Sequence, residues 1–390
     1  MDQEAIQILF TLFRSAICGT KLTEEERSRF TPEMLGALLK LSAAHDLIHL
    51  SVYALMQNEM LPEEQSKLEE YTLKAVFRYE RMRYEYEALC AALEKAQIPF
   101  LPLKGSVLRK YYPEAWMRTS CDIDVLVHAE DVDRAMEVLT GEYGYTYQCK
   151  SAHDVSLKSS CEVHVELHHD LIEDGRINDS AEALSAVWDT AVLREGYSYW
   201  YEMTEEMFCL YHIVHMAKHL VEGGCGIRPF LDLWILKRSI NLESDALKEL
   251  LRVSRLTDTY DAISRVVGVW FEDRSHDPVT LAMEDYILRG GVYGSRENKA
   301  SMKASKGEGR VKSFLNLMFL SPKSMAMLYP RMEKYPILYP FYQVKRWFRI
   351  FNKTKRAKVK NLTKVRNNVT EEEIQNTSQL LCRLGLHHDD

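Results

Sequence analysis

The stretch from Ile98 to Val127 constrains the fold more than any other. It begins as an apolar run, Ile98 to Leu103, interrupted by Pro99 and Pro102, and arrives at Lys104-Gly105-Ser106. Val107, Leu108 and Tyr111 follow at helical spacing until Pro113 stops the segment. Gly105 and Ser106 therefore stand where a strand gives way to a helix. Such a turn aims free backbone N–H groups at whatever lies above it, and the helix dipole favours an anion there. Glycine lets the backbone come close to a ligand, and serine adds a hydroxyl and a cap.

After a short loop comes Cys121-Asp122-Ile123-Asp124-Val125-Leu126-Val127, whose β-branched and apolar residues predict a strand. Alternate side chains on a strand share a face, so Asp122 and Asp124 point one way and Ile123 and Val125 the other. Two carboxylates side by side repel, and folding alone gives no reason to place them there. A divalent cation would relieve the repulsion, and Mg²⁺ takes a few carboxylates together with phosphate oxygens. The plain alternative is a strand–helix–strand unit with two solvated aspartates.

A second strand carries the same kind of pattern. From Cys161 to His168, Glu162, His164, Glu166 and His168 alternate strictly with Val163, Val165 and Leu167. Ala129 to Glu142, between the two, is amphipathic and helical, with Val132, Ala135, Met136 and Leu139 inward. Tyr145–Gln148, Val155–Lys158 and Tyr197–Met203 are short strand candidates. Thr204 then caps a helix with Glu205 and Glu206 in its first turn, where the dipole favours acids. His212, His215 and His219 share one face of it. Arg228-Pro229 and a helix bearing Asp232 follow. The histidine face has three readings: lining a nucleotide with Lys218, holding a separate metal, or packing against Asp232 or Tyr211. It is not a metalloprotease motif, because Met216-Ala217-Lys218 separates His215 from His219.

Ahead of this region, residues 1–97 read as helices, with Ile6, Leu9, Phe10 and Phe13 on one face of the first. Thr31-Pro32 predicts a helix start, and Leu35, Leu38, Leu39 and Leu41 carry the pattern toward Asn58. His45 and His49 lie one turn apart but read as ordinary helix residues. A long helix over 64–96 points Leu73, Val76, Phe77, Tyr84, Leu89 and Leu93 inward and a charged face, including Arg78, outward. The chain stays helical from Asn241 to Gly290, and Gly290 to Gly309 is polar enough to predict a mobile loop. Phe341 to Arg366 holds ten basic residues and no acidic one, with Val344, Trp347, Phe348 and Phe351 on one helical face. Such a helix docks on its own protein, the first choice here, or meets RNA or an anionic membrane.

A net charge of −7 argues against a wholly nucleic-acid-coated protein. Eight scattered cysteines without a C-x-x-C pair predict neither zinc nor disulfides, and a reducing, cytoplasmic setting. The start MDQEAIQILF lacks the basic-then-apolar pattern of a signal peptide, and no apolar run approaches the roughly 20 residues of a spanning helix.

Lys-Gly-Ser, Tyr-Tyr-Pro, then Arg-Thr-Ser-x-Asp-Ile-Asp-Val-Leu-Val resembles the DNA polymerase β-type nucleotidyltransferase superfamily, and within it an uncharacterised bacterial nucleotidyltransferase family with a Leu-Lys-Gly motif. The resemblance implies an α+β fold: a small mixed β-sheet nucleotidyltransferase core over 98–203, an N-terminal helical region over 1–97, a helical domain over 204–290, and a loop and basic aromatic segment over 291–390. It implies transfer of a nucleoside monophosphate from an NTP, with ATP expected, to a hydroxyl of an unknown acceptor, with release of pyrophosphate. Two Mg²⁺ ions would sit on Asp122 and Asp124. A third carboxylate on a neighbouring strand goes to Glu162, because Glu162-Val163-His164 matches the family's acid-x-His element, with Glu166 as the fallback and His164 as its orienter or a phosphate contact. Lys104, Gly105, Ser106 and Arg118 would hold phosphates, and His215, Lys218, His219 and Asp232 would line the substrate. The other readings are a catalytically silent nucleotide-binding scaffold and an RNA-directed transferase.

Overall fold

A computed structural model describes residues 3–171, 177–305, 318–322, 325, 328, 329, 331–350 and 369–386. Its centre is a five-stranded mixed sheet: β1 (Phe100–Pro102), β2 (Asp122–Val127), β3 (Thr146–Lys150), β4 (Asp154–Lys158) and β5 (His164–His168), in spatial order β1-β2-β5-β4-β3. β2 and β5 run parallel, and every other pairing is antiparallel. A parallel pair needs a long connection. Here the Val132–Glu142 helix and the β3–β4 pair supply it.

The period of two decides what each face does. Ile123, Val125, Val127, Val155, Leu157, Val165 and Leu167 form one core with Leu89 and Leu93 of the long Gln65–Lys95 helix and Val132, Ala135 and Leu139 of the crossover helix. The polar members of the same strands are left for the opposite face. A second core joins the first helix, Gln3–Cys18, to the helices Glu205–Val221, Arg228–Ser239 and Thr257–Phe271, and Leu380, Leu381 and Leu384 close it from the C-terminal side. This α+β arrangement is the expected fold class.

Local readings differ in four places. The helix expected to run on toward Asn58 breaks into Leu35–Ala44 and Ile48–Gln57, because Asp46 adopts φ +57° between them. The long helix buries Leu68, Ala75, Met82 and Leu89, spaced by seven, and leaves Leu73, Phe77 and Tyr84 between 64 and 70% exposed. The stretch read as a loop is helical over Arg296–Ser305. In the Tyr339–Ile350 helix, Gln343, Arg346 and Trp347 all donate to the Met318 carbonyl, Trp347 Nε1 at 2.7 Å, while Phe341, Val344 and Phe348 are exposed, so the docked face keeps Trp347 of the expected one and leaves out Val344 and Phe348. The rest of the basic stretch, from residue 351 to 366, lies outside the described residues. Among the described residues no helix is long and apolar enough to cross a membrane.

Candidate active site

The parallel pairing of β2 with β5 sets Asp122 opposite His164, Asp124 opposite Glu166 and Leu126 opposite His168. These side chains stand on the sheet face turned away from Ile123 and Val125, with Leu126 the apolar member among them. Two groups of ligand-type atoms result, each within 4.8 Å: Asp122, His164 and Glu166, and Asp124, Glu166 and His168, with Glu166 common to both. The carboxylate oxygens suit Mg²⁺ or Mn²⁺, whereas the imidazoles beside them are ligands of the softer, transition-metal type.

Asp124 is the most enclosed of the acids. Its Oδ1 lies 2.9 Å from Lys104 Nζ and 3.0 Å from His168 Nε2. Burial pushes the Asp124 carboxyl up, but Lys104 and the bond from His168 outweigh it and hold the group well below the usual carboxylate range. The same contacts raise Lys104 and His168 against the opposing effect of burial. Asp122 behaves oppositely: burial and then the neighbouring Asp124 raise it. Two carboxylates two residues apart thus have their proton affinities driven in opposite directions, which is a mark of functional sites.

Glu162, the expected third acid, does not join them. It sits in the turn between β4 and β5 with φ +63°, exposed, and pairs with Lys158. β5 begins only at His164, because the Ser159 N–H to Val163 carbonyl bond (2.9 Å) closes the turn first. The third carboxylate facing Asp122 and Asp124 is Glu166. Its neighbour His168, absent from the expected site, completes a second acid-x-His element, Glu166-Leu167-His168.

The Gly-Ser turn opens a helix of five residues, Lys104–Leu108, without a side-chain cap. Lys104 and Gly105 line a cavity of about 350 Å³ together with Asp122, Asp124, Glu166, Arg118 and Asp232. Ser106 is not among the lining residues, and its Oγ is buried with no hydrogen-bond partner among the described residues. Arg118 Nε donates to Asp232 Oδ1 at 2.7 Å, and the Tyr112 hydroxyl donates to the same oxygen at 2.6 Å. Arg118 is therefore paired to an acid of the facing helix.

Across the cavity the Glu205–Val221 helix, capped by Thr204 as expected, presents Tyr211, His212, His215, Lys218 and His219. His215 and His219 approach to 3.3 Å between their Nε2 atoms. Burial, followed by nearby lysines, lowers His219 to about 4, and burial takes His215 well below its usual value, so both are neutral at pH 7. Among the described residues no third ligand completes a metal-sized group with this pair. His212 Nε2 donates to the Pro229 carbonyl at 2.9 Å, which ties this helix to the next.

The helices before the sheet also shape the site, which no sequence signal indicated. Asp46 bonds Arg78 at 3.0 Å and Arg228 at 3.1 Å, and its Oδ2 accepts from the Thr119 hydroxyl at 3.1 Å. Arg78 Nε donates to the Ser120 carbonyl at 2.7 Å. The loop that delivers Asp122 is thus fastened from the N-terminal helices and from the Asp232 helix together. Tyr293 lines the cavity rim on a segment carried by glycines. A Cβ on Gly291 would lie 2.7 Å from the Ala44 carbonyl oxygen, and Gly294 has φ +70° with the Gly224 oxygen 2.7 Å from where its Cβ would be.

The model of a family described as "uncharacterised nucleotidyltransferase" matches residues 32–272. That span contains both walls of the cavity apart from its Val292–Tyr293 rim. No curated protein and no solved structure matches the chain.

Proposed function

The chain belongs to the uncharacterised nucleotidyltransferase family, and on that premise we propose that it moves a nucleoside monophosphate from an NTP, with ATP expected, to a hydroxyl of its acceptor, releasing pyrophosphate. The observation that carries this reading is the set of three carboxylates, Asp122, Asp124 and Glu166, brought together by adjacent parallel strands in the wall of a cavity.

The residues divide the work by position. Asp122 and Glu166, with His164 beside them, would hold a divalent cation, Mg²⁺ by preference. When bound, such an ion supplies Lewis-acid stabilisation of charge on the transferring phosphoryl group and its entering and leaving oxygens. Asp124 fixes Lys104 in the cavity, where the ammonium can donate to phosphate oxygens. Glu166, opposite Asp124 in the cavity lining, would take the role expected of Glu162, favouring loss of the acceptor hydroxyl's proton. His215 and His219, being neutral, offer both a donor and an acceptor to a sugar or base without adding charge. His168 holds Asp124 and Glu166 in place from behind.

The test is thermal melting of the intact chain with each of ATP, GTP, CTP and UTP, with and without Mg²⁺, beside an Asp122→Asn/Asp124→Asn variant. Ligand that binds only the folded state raises the melting temperature by mass action. A Mg²⁺-dependent rise with one nucleotide, absent in the variant, supports the reading. No rise with any of the four sinks it.

A further inference from the structure

The cation beside Asp124 is a lysine. Lys104 leaves β1 in a left-handed conformation, φ +45°, which a residue with a Cβ adopts only when its surroundings hold it there. The Leu103 N–H, bonded to the Asp124 carbonyl at 3.0 Å, ties the backbone just before it to the strand that carries the acid. The ammonium is the outcome: 2.9 Å from Asp124 Oδ1, with the two side chains only 21% and 3% exposed. His168 Nε2 reaches the same oxygen at 3.0 Å, so two N–H groups already converge on it. Asp122 differs. Among the described residues it has no ion-pair partner, and it shares a ligand-sized space with Glu166 and His164.

A pair of strand aspartates backed by a third acid has room for two divalent ions about 3.5–4 Å apart. Here one of those places is already filled by positive charge. An ion on Asp124, Glu166 and His168 would meet the Lys104 ammonium at close range in a nearly dry site, where like charges repel strongly. We propose that Lys104 takes the place of one of the two cations, so that this site accepts a single divalent ion, on Asp122 and Glu166 with His164 beside them.

The division is chemically asymmetric. An ammonium offers three hydrogen-bond donors and one charge, which suits holding a phosphate oxygen. It has no open coordination position and so cannot activate a bound hydroxyl. That task stays on the Asp122–Glu166 side, nearest the third carboxylate. The inference rests on the nucleotidyl-transfer reading for what the ion does, but not for how many ions there are. The ion count needs no turnover, so a chain that takes one ion and transfers nothing would sink that reading and leave this one standing.

The experiment is Mn²⁺ titration of the full chain followed by electron paramagnetic resonance, first with Mn²⁺ alone and then with α,β-methylene ATP, whose α,β bridge cannot be cleaved. Wild type is expected to bind one Mn²⁺ per chain with the resolved six-line spectrum of an isolated ion, in both conditions. Lys104→Met removes the charge at similar length, and Lys104→Gln keeps a donor for Asp124 should the first variant fold poorly. With the analogue present, the folded variant is expected to take a second ion and show the broadened spectrum of a coupled pair. A coupled pair in wild type would overturn the proposal, as would a single isolated ion in the folded variants or no bound ion in wild type.

Discussion

The two sides of the cavity use the same residue types to opposite ends. On the helix-facing side every acid is paired: Asp232 takes Arg118 and the Tyr112 hydroxyl, and Asp46 takes Arg78 and Arg228. On the sheet wall one acid is not. Asp122, Asp124 and Glu166 stand against Lys104 and His168, and Asp122 is left with no ion pair among the described residues. A network in which every acid has its arginine holds elements together. One that leaves a carboxylate over has capacity for a further cation. Burial of charge marks neither function nor structure; an acid left without an ion pair distinguishes them.

The largest effect should come from neutralising the wall that holds the unpaired acid. Asp122→Asn/Asp124→Asn is expected to cost about 10⁴-fold or more in transfer, since each preorganised electrostatic partner is commonly worth about 10²–10³-fold. Rates measured on the donor and acceptor that the nucleotide screen identifies would check this. Retained activity would break the comparison at its centre.

The wall of paired acids should fail differently. Asp232→Ala leaves the Arg118 guanidinium buried without its acid, and stripping one partner from such a pair typically costs about 3–5 kcal/mol of stability. Urea denaturation reads this directly. A variant that melts normally but loses activity would move Asp232 from the structural wall to the chemical one.

A smaller effect sharpens the contrast through pH. The folded-state pKa of Asp122 is raised, by burial first and Asp124 second. The associated stability is therefore present below the unfolded pKa and lost as pH rises through the folded value. With chelator present, Asp122→Asn should melt higher than wild type at pH 7. The gap should close as pH falls to about 4, near the ordinary carboxylate value. A gap that widens toward acid would contradict the assignment. The smallest effect belongs to Glu162→Gln: an exposed turn residue paired only with Lys158 should change stability by no more than about 0.5 kcal/mol.

Much of the sheet wall was legible because strand alternation is local. Asp122 and Asp124 had to share a face once Ile123 and Val125 were buried, and the Gly-Ser turn had to precede them. The choice between Glu162 and Glu166 was not local. The acid-x-His spacing occurs twice, offset by four residues, and both copies lie on the same face of an ideal strand. Only the pairing of β5 with β2, which sets Glu166 opposite Asp124, separates them. The long helix misled for a related reason. Leu73, Phe77 and Tyr84 outweigh Ala75 and Met82 in bulk, yet the seven-residue series from Leu68 to Leu89 lies against the rest of the protein. The Asp46 network was illegible altogether, since it joins residues up to 182 positions apart and each reads singly as a surface charge.

The glycine-lined rim has an effect on how the protein can vary. Gly291 and Gly294 bring one backbone against another, near Ala44 and Gly224, with no space for even a methyl group. A systematic substitution survey would therefore return these positions as intolerant, alongside Asp122 and Asp124, although the glycines meet no reactant. Invariance across relatives would mix two kinds of necessity, one imposed by chemistry and one by the thickness of a seam. Only a readout that scores folding apart from turnover would tell them apart.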